Sequence, residues 1–324
     1  MIEKIFSEFA AYAEREKLPI EAIAVGDEKK VFWEHHFVPD QPRNIYSHTK
    51  SFMSTAAGIA IGEGKLSLED RLTDFFPEAV PGNASAAVPE NASAAVPEDA
   101  PAALSEIRLK HLLTMSSGFG KPYLMGADRR AGTGMPDYMA YMLSRPVIQR
   151  PGAAFEYSTA DSILAGRMVE KAVGMSLSQY LYEKLFSKMD ICYPIWECCP
   201  QGHPIGGGGM FLSLKDMMKL GQLYLAGGLW KGERLVSADW TVQASGKQIE
   251  NVKPGEEAGT DWWNCGYGYQ FWRSPYPDSY RADGAYGQIT MVLPQKGLVV
   301  SFQCPEYGNF SVKKEVHERI FSLL

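Results

Sequence analysis

Hydrophobic residues recur at helical spacing across the first seventeen residues, MIEKIFSEFAAYAEREK. Charged residues separate them, so the segment has one apolar face and one polar face. This pattern predicts an amphipathic surface helix and differs from the continuous apolar stretch of a secretory signal. The apolar face consists of Ile2, Ile5, Phe6, Phe9 and Ala13.

Strand patterns lie near both ends of the chain. The segment IEAIAVGDEKKVFWEHHF has two apolar-rich runs joined by Gly-Asp-Glu at 26–28, which predicts a β-hairpin. Towards the other end, GYGYQFWRS, AYGQITMVLP and GLVVSFQC carry aromatic and β-branched residues between Gly and Pro, which is typical of strands. A last helix is expected, with one apolar face made of Val312, Val316, Ile320 and Leu323. The two chain ends are therefore expected to build one sheet, with a helical region inserted between them.

The chain is expected to form a single unit over residues 1–324. Its sheet region covers about 1–45 and 210–324, and its helical region covers about 46–209. Within the helical region, NASAAVPE occurs twice in tandem in a low-complexity loop at 80–103. This loop has little apolar bulk and several prolines, so we expect a surface insertion that takes no part in the chemistry.

Composition narrows the classes of partner. The 324 residues are 45% hydrophobic and carry a net charge of -6 without a basic stripe, which argues against nucleic acid as a partner. No run of about 18 apolar residues occurs, which argues against a membrane span. A cytoplasmic protein with a small-molecule or short peptide substrate is expected, and the sequence leaves its oligomeric state open.

Five cysteines without a secretory signal favour reduced thiols over a disulfide framework. The segment CYPIWECCPQGH gathers possible zinc ligands at Cys192, Cys198, Cys199 and His203. It lacks the usual Cys-x-x-Cys pairs, so unliganded loop thiols are favoured and no metal is expected.

Ser47 and Lys50 lie three residues apart at the start of a segment rich in Ser, Ala and Gly. Such small residues suit a helix surrounded by other elements, and residues three apart share a helix face. In one interpretation Ser47 is a nucleophile and Lys50, its pKa lowered by desolvation, accepts the hydroxyl proton. In the other, Ser47 caps a helix and Lys50 is solvated. Spacing alone does not decide between the two interpretations, since Ser311 and Lys314 have the same Ser-x-x-Lys spacing.

A longer stretch, YSHTKSFMSTAAGIAIGEGKLSLEDRLTDFFPE, resembles the serine β-lactamase and penicillin-binding protein superfamily, in particular its branch of class C β-lactamases and family VIII-type esterases. LKHLLTMSSGF, GGGGMFLSLKDMMKLGQLYLAGG and YGYQFWRSPYPDSYRADGAYGQ are also similar to family segments, in family order over roughly residues 20–304. The resemblance implies the β-lactamase/transpeptidase-like fold, an α/β (α+β) arrangement. Its antiparallel sheet is flanked by terminal helices, and an all-helical lobe covers Ser47.

The second family element is Tyr-x-Asn, and FEYSTADS offers Tyr157, with Thr159 where the amide would stand. The resemblance implies that the Tyr157 phenol exchanges protons with Lys50 and that Thr159 contacts substrate. On local grounds a packed tyrosine before a helix capped by Ser158 or Thr159 fits equally well. The literal Tyr-x-Asn at 307–309 follows the last strand, out of family order.

The third element, a Lys-Thr-Gly or His-Thr-Gly strand, has no literal match. Aligned glycines place Ala282, Asp283 and Gly284 there, followed by Ala285 on the strand. The resemblance implies that Asp283 and Gly284 contact substrate. It also implies that the backbone N–H groups of Ser47 and Ala285 form an oxyanion hole, a role that does not depend on the side chain.

The third element has Ala282 where the family has Lys or His, and the absence of this cation affects which substrates can bind. Asp283 would repel a substrate carboxylate if it faced the cleft, unless Arg273 or Arg281 compensated for its charge. Among nearby aromatic residues, most of which suit a core, Trp272 is a candidate for lining an apolar acyl pocket. The glycines of GGGGM at 206–210 indicate close backbone packing near the cleft.

Together these residues and the resemblance imply a serine hydrolase that acts through an acyl-enzyme on a small neutral ester or amide. The scheme requires no cofactor. The alternatives are a β-lactamase or D-alanyl-D-alanine carboxypeptidase, and a non-catalytic binding protein that keeps the fold.

Overall fold

A computed structural model describes residues 1–77, 104–253, 255–259, 261–306 and 312–320. Its main feature is a six-stranded antiparallel sheet with the order β2-β1-β10-β9-β8-β7. Two further pairs, β3 with β4 and β5 with β6, lie outside this sheet. The strands are β1 (Ala22–Gly26), β2 (Val31–His36), β3 (Arg43–Asn44), β4 (Phe211–Leu212), β5 (Leu229–Trp230), β6 (Glu233–Arg234), β7 (Trp272–Arg273), β8 (Tyr280–Gly284), β9 (Gln288–Leu293) and β10 (Leu298–Gln303).

Most helices of the described residues fall between β3 and β4. They are α1 (Ile2–Arg15), α2 (Thr49–Gly62), α3 (Leu72–Phe75), α4 (Leu109–Leu113), α5 (Gly126–Arg130), α6 (Tyr138–Leu143), α7 (Thr159–Val173), α8 (Leu177–Leu181), α9 (Leu214–Leu225), α10 (Ala238–Ser245) and α11 (Val312–Arg319). The predicted first helix and the hairpin of β1 and β2 are confirmed. The Asp27 carboxylate closes the hairpin turn by accepting bonds from the N–H groups of Lys29 and Lys30.

The sheet separates two hydrophobic cores, because side chains alternate along each strand. In β1, Ile23 and Val25 join the core beneath α1 and α11, whereas Ala22 and Ala24 join the core with α2 and α9. The terminal helices therefore cover one face of the sheet and the helical lobe lies on the other. The predicted β-lactamase/transpeptidase-like α+β fold is confirmed.

Helix α2 lies in the middle of the core that it shares with α9, and every residue from Thr49 to Ala60 is buried. Its hydroxyl groups bond to neighbouring backbone, as when Ser51 Oγ donates to the carbonyl of Gln270 at 2.7 Å and Ser54 Oγ to that of Tyr269 at 2.6 Å. Small side chains thus let other segments approach on every side, as the sequence predicted. Ser47 lies just before this helix, in a 3₁₀ turn over Tyr46–His48.

Some sequence predictions fall outside the described residues. These are the repeat loop within 80–103, the Tyr-x-Asn at 307–309, Ser311 and Leu323. Val312 and Ile320 are buried against the sheet, as expected for the last helix. The division into sheet and helical regions stays a prediction, although the stretch from 210 onwards also contains α9 and α10. No helix in the described part of the chain is both long and apolar enough to cross a membrane.

Candidate active site

Ser47 and Lys50 are in direct contact. Lys50 Nζ donates to Ser47 Oγ at 3.0 Å and to the carbonyl oxygen of Gly207 at 2.6 Å. Lys50 is only 1% exposed, whereas Ser47 is partly accessible to solvent. Because Ser47 lies in the 3₁₀ turn and Lys50 in the first turn of α2, the two side chains point the same way. The structure therefore excludes the alternative in which Lys50 is a solvated surface lysine.

Burial changes the acid–base behaviour of Lys50. Desolvation and, to a smaller extent, the positive charge of Arg129 lower the pKa of Lys50 to about 7, against the opposing effect of Asp161. A buried ammonium loses hydration that the protein replaces only in part. Near neutral pH a large fraction of Lys50 is therefore an uncharged amine that can accept a proton from Ser47.

Tyr157 brings its hydroxyl to the same serine. The phenol is hydrogen-bonded to the Ser47 side chain, and Lys50 Nζ lies 5.0 Å from the centre of the Tyr157 ring. Desolvation raises the pKa of Tyr157 well above its usual value, so the phenol stays protonated at neutral pH. Trp272 packs against the ring with centroids 5.3 Å apart. The two interpretations of Tyr157 are thus compatible: its ring is packed and its hydroxyl reaches Ser47.

The third family element lies beside the Ser47 turn. Strand β8 ends at Gly284, and a Cβ added there would come within 2.2 Å of the carbonyl oxygen of Ile45. Only glycine permits this approach, which brings the end of β8 against the segment that leads into Ser47. Ala285 was expected on the strand, and this was wrong: it begins a 3₁₀ turn over Ala285–Gly287. The backbone leaves the sheet here, because Tyr286 has φ 61°.

Asp283 does not present an unpaired charge. Its buried carboxylate accepts bonds from Arg281 Nε at 2.7 Å and from Lys313 Nζ of α11 at 3.0 Å. Although desolvation raises the pKa of Asp283, Lys313 and Arg281 together lower it below its usual value. The carboxylate is therefore ionised and neutralised, and the expected repulsion of a substrate carboxylate finds no support. Arg273 donates to backbone carbonyls instead of pairing with Asp283.

The contact between Thr159 and Gly207 explains why one position of the glycine run at 206–209 has to be glycine. Thr159 is buried, and its hydroxyl donates to Met125 Sδ at 3.3 Å. A Cβ on Gly207 would lie 2.6 Å from Thr159 Cγ2, so the glycine lets the chain reach α7 while its carbonyl holds Lys50. The predicted close packing of the glycines is thereby confirmed. Substrate contacts by Thr159, by Gly284 and by the mostly buried Trp272 stay predictions.

Sequence reasoning missed two residues whose charges act on Lys50, Asp161 and Arg129. Asp161, in the first turn of α7, is fully buried and accepts a bond from Ser117 Oγ at 2.8 Å. Burial raises the pKa of Asp161 to about 7, against the effects of Ser117 and Lys50. The positive charge of Arg129 has the opposite effect to Asp161 and lowers the pKa of Lys50. Arg129 itself pairs with Glu197 at 3.2 Å. The single acidic residue within the apolar pattern STADSILAG could have predicted a buried role for Asp161. Nothing in MGADRRAG distinguishes Arg129 from an ordinary surface arginine.

The candidate zinc ligands do not converge. Cys199 Sγ donates to the side chain of Gln201, Cys198 Sγ donates to the carbonyl of Trp196, and His203 pairs with Glu170. Across the described ranges, no three side chains of His, Cys, Asp or Glu lie close enough together to hold a metal ion. All five cysteines are unpaired thiols.

A cavity of about 640 Å³ lies elsewhere, between the end of α9, α10 and the loop that joins β7 to β8. Thr241, Arg273 and Tyr280 are among its lining residues, and Ser47, Lys50 and Tyr157 are not. The candidate active site is therefore identified from its reactive groups and not from cavity size.

The fold, together with a serine and a buried lysine one helical turn apart, defines the class of β-lactamase/transpeptidase-like proteins. The family model for Beta-lactamase matches residues 7–309, and the chain belongs to this family. It is 23% identical over 274 residues to 6-aminohexanoate-dimer hydrolase from Paenarthrobacter ureafaciens, which covers 75% of this chain and 66% of that protein.

Solved structures agree with the fold. A family VIII carboxylesterase superposes with a TM-score of 0.70 at 16% identity, covering 98% of this chain and 96% of the other. A penicillin-binding protein homologue from Caulobacter crescentus superposes with a TM-score of 0.69 at 14% identity, covering 95% and 92%. At these identities the likeness concerns the fold.

Proposed function

We propose that this protein is a serine hydrolase that forms an acyl-enzyme on Ser47 and acts on a small neutral ester or amide. The contact between Ser47 Oγ and the buried Lys50 amine carries the proposal. A serine hydroxyl is a weak nucleophile until a base removes its proton, and an amine with a pKa of about 7 is suited to that task.

The residues take separate roles in the reaction. Ser47 Oγ attacks the acyl carbon while uncharged Lys50 takes the hydroxyl proton. The backbone N–H groups of Ser47 and Ala285 donate to the developing oxyanion. Tyr157, protonated because of its raised pKa, donates its proton to the departing oxygen or nitrogen and is reprotonated by Lys50. Water then attacks the acyl-enzyme, with its proton passing back through the same groups.

The pairing of the cations around the site with protein carboxylates supports a neutral substrate. Arg281 and Lys313 are both paired with Asp283, and Arg129 is paired with Glu197. A substrate carboxylate must shed water to enter and would have to compete with these carboxylates for a cation. The similarity to a carboxylesterase and to a 6-aminohexanoate-dimer hydrolase is in keeping with cleavage of an ester or an amide.

A β-lactamase or carboxypeptidase is the second candidate, favoured by the family name and by the penicillin-binding protein homologue. A comparison of kcat/KM for a neutral p-nitrophenyl ester, a chromogenic cephalosporin and a D-alanyl-D-alanine peptide separates the candidates. We expect the ester to be the best substrate. A higher kcat/KM for the cephalosporin or the peptide would favour the second candidate.

Covalent labelling tests the nucleophile itself. A fluorophosphonate probe should add one adduct to the wild type and none to Ser47→Ala, as read by intact-protein mass spectrometry. Ser7→Ala is the matched control, since Ser7 is exposed on α1 and its hydroxyl bonds only to its own helix. Equal labelling of wild type and Ser47→Ala would contradict the assignment, and absence of labelling in the wild type would favour a non-catalytic binding protein.

A cytoplasmic location is part of the proposal, because five unpaired cysteines suit a reducing compartment. Cell fractionation of the natural host with an antibody against the protein tests it, and recovery from an oxidising compartment would contradict it.

A further inference from the structure

Two tyrosines border the backbone groups assigned to the oxyanion hole. Tyr46 immediately precedes Ser47, and Tyr286 immediately follows Ala285. Their rings meet edge to face, with centroids 5.2 Å apart and planes at 64°. Because Gly284 packs against the carbonyl of Ile45, the two turns that carry these tyrosines are held side by side.

Both tyrosines occupy a backbone conformation that bulky residues rarely adopt. Tyr46 has φ 46° and Tyr286 has φ 61°, which lie in the left-handed region where glycine is favoured. Such strain persists only where the surrounding structure fixes it, and it is concentrated at active sites and ligand-binding positions. Two strained turns that lie side by side thus each carry a large aromatic side chain.

Core packing does not account for these rings. Tyr286 is 41% exposed and Tyr46 is partly exposed, although both adjoin buried segments. Exposed aromatic rings in mutual contact offer an apolar surface with a defined geometry, which suits a flat or aromatic ligand group. Tyr46 and Tyr286 adjoin in the chain the two residues whose N–H groups are proposed to hold the substrate carbonyl.

We infer that Tyr46 and Tyr286 form a binding subsite for an aromatic or otherwise flat apolar acyl group of the substrate, an inference that rests on the proposed function. The leaving group is protonated at Tyr157, whose ring packs with Phe155, Tyr267 and Trp272 in a separate cluster. The pair formed by Tyr46 and Tyr286 therefore contacts the acyl group and not the leaving group.

The test compares p-nitrophenyl phenylacetate with p-nitrophenyl acetate, which differ only in the acyl group. In Tyr286→Ala we expect kcat/KM for the phenylacetate ester to fall about tenfold, mainly through KM, and kcat/KM for the acetate to change less than about twofold. Tyr286→Phe should keep the preference, because the ring and not the hydroxyl makes the contact. Alanine is strained at this φ as tyrosine is, so the comparison isolates the ring.

Tyr193→Ala is the matched control. Tyr193 is 54% exposed and its ring lies 5.2 Å from that of Tyr182, but it is remote in sequence from both oxyanion segments. It should leave both esters unchanged. An equal fall for the two esters in Tyr286→Ala, or a wild type without preference for phenylacetate, would overturn the subsite.

Labelling of Ser47 by the fluorophosphonate distinguishes failure of the subsite from failure of the proposed function. A wild type that is labelled by the fluorophosphonate but shows no acyl preference removes the subsite alone. A wild type that is not labelled removes the proposed function, and the subsite with it.

Discussion

Substitution of Gly284 by alanine tests whether the end of β8 has to lie against the segment that leads into Ser47. The added Cβ would lie 2.2 Å from the carbonyl oxygen of Ile45, and the segments must separate by about 0.8 Å before that contact reaches 3.0 Å. Gly284 has φ -110° and ψ 155°, a conformation that alanine adopts without strain. The displacement is therefore the principal effect of the substitution.

The expected cost follows from this distance. Misplacement of reacting groups by about 1 Å costs roughly a hundredfold in rate. Loss of one oxyanion donor costs about 10²–10³ in kcat. Because the Ala285 N–H moves with Gly284, we expect kcat/KM of Gly284→Ala to fall about a hundredfold. Fluorophosphonate labelling of Ser47 should slow in parallel, since formation of the adduct needs the same donors.

Stopped-flow release of p-nitrophenol measures the acylation step directly, and circular dichroism reports whether the variant folds. The matched control is Gly62→Ala at the end of α2, where a new Cβ meets no atom within 4 Å and the backbone is helical. That variant should keep its activity and gain slight stability. A wild-type burst rate in folded Gly284→Ala, or an equal loss in Gly62→Ala, would refute the reasoning.

The remaining predictions concern charge, proton transfer and the insertion. Because Lys50 has a pKa of about 7 and is proposed to act as an uncharged amine, kcat/KM should rise with pH through about 7. Arg129→Gln removes a positive charge near Lys50, so the rise of kcat/KM should move to higher pH. Asp161→Asn removes a negative charge, so the rise should move to lower pH. A pH profile of kcat/KM measures both shifts, and shifts in the same direction would contradict the assigned effects of these two charges on Lys50. Tyr157→Phe should slow the burst by about a hundredfold or more, and an unchanged burst would leave Tyr157 a packing role only. Deleting residues 83–98 should change the melting temperature and the esterase activity little, and a large loss of either would show that the insertion packs against the lobe.

The sequence was informative wherever a local pattern determines the outcome. The apolar-rich run that contains Ile23 and Val25 predicted a strand, and the structure buries both faces of it. The small residues of α2 likewise predicted a helix that other elements surround. The spacing of Ser47 and Lys50 predicted one shared face, and their side chains meet. Each of these depends on residues that are close together in the sequence.

Interactions between distant segments could not be predicted. One of the two partners of Asp283 is Lys313, thirty residues later on a terminal helix, and no local pattern connects them. Arg129 and Asp161 influence Lys50 only because the helical lobe folds around α2. The turn at Ala285 was misjudged because its sequence, AYGQ, continues an aromatic and β-branched run, while the left-handed φ of Tyr286 depends on tertiary contacts.

The pairing of β1 with β10 sets the order in which a newly made chain can become active. Ala22 lies opposite Gln303, so the centre of the sheet closes only after β10 has been synthesised. At about 5–20 residues per second, roughly 15 s to 1 min separates the synthesis of these two strands. During that time Ser47 and Lys50 already exist, but Ala285 does not yet lie beside them. A nascent chain therefore carries the proposed nucleophile before the proposed oxyanion donor at Ala285 can join it. The apolar surfaces of α2 and β1 need protection from aggregation until β10 has been made.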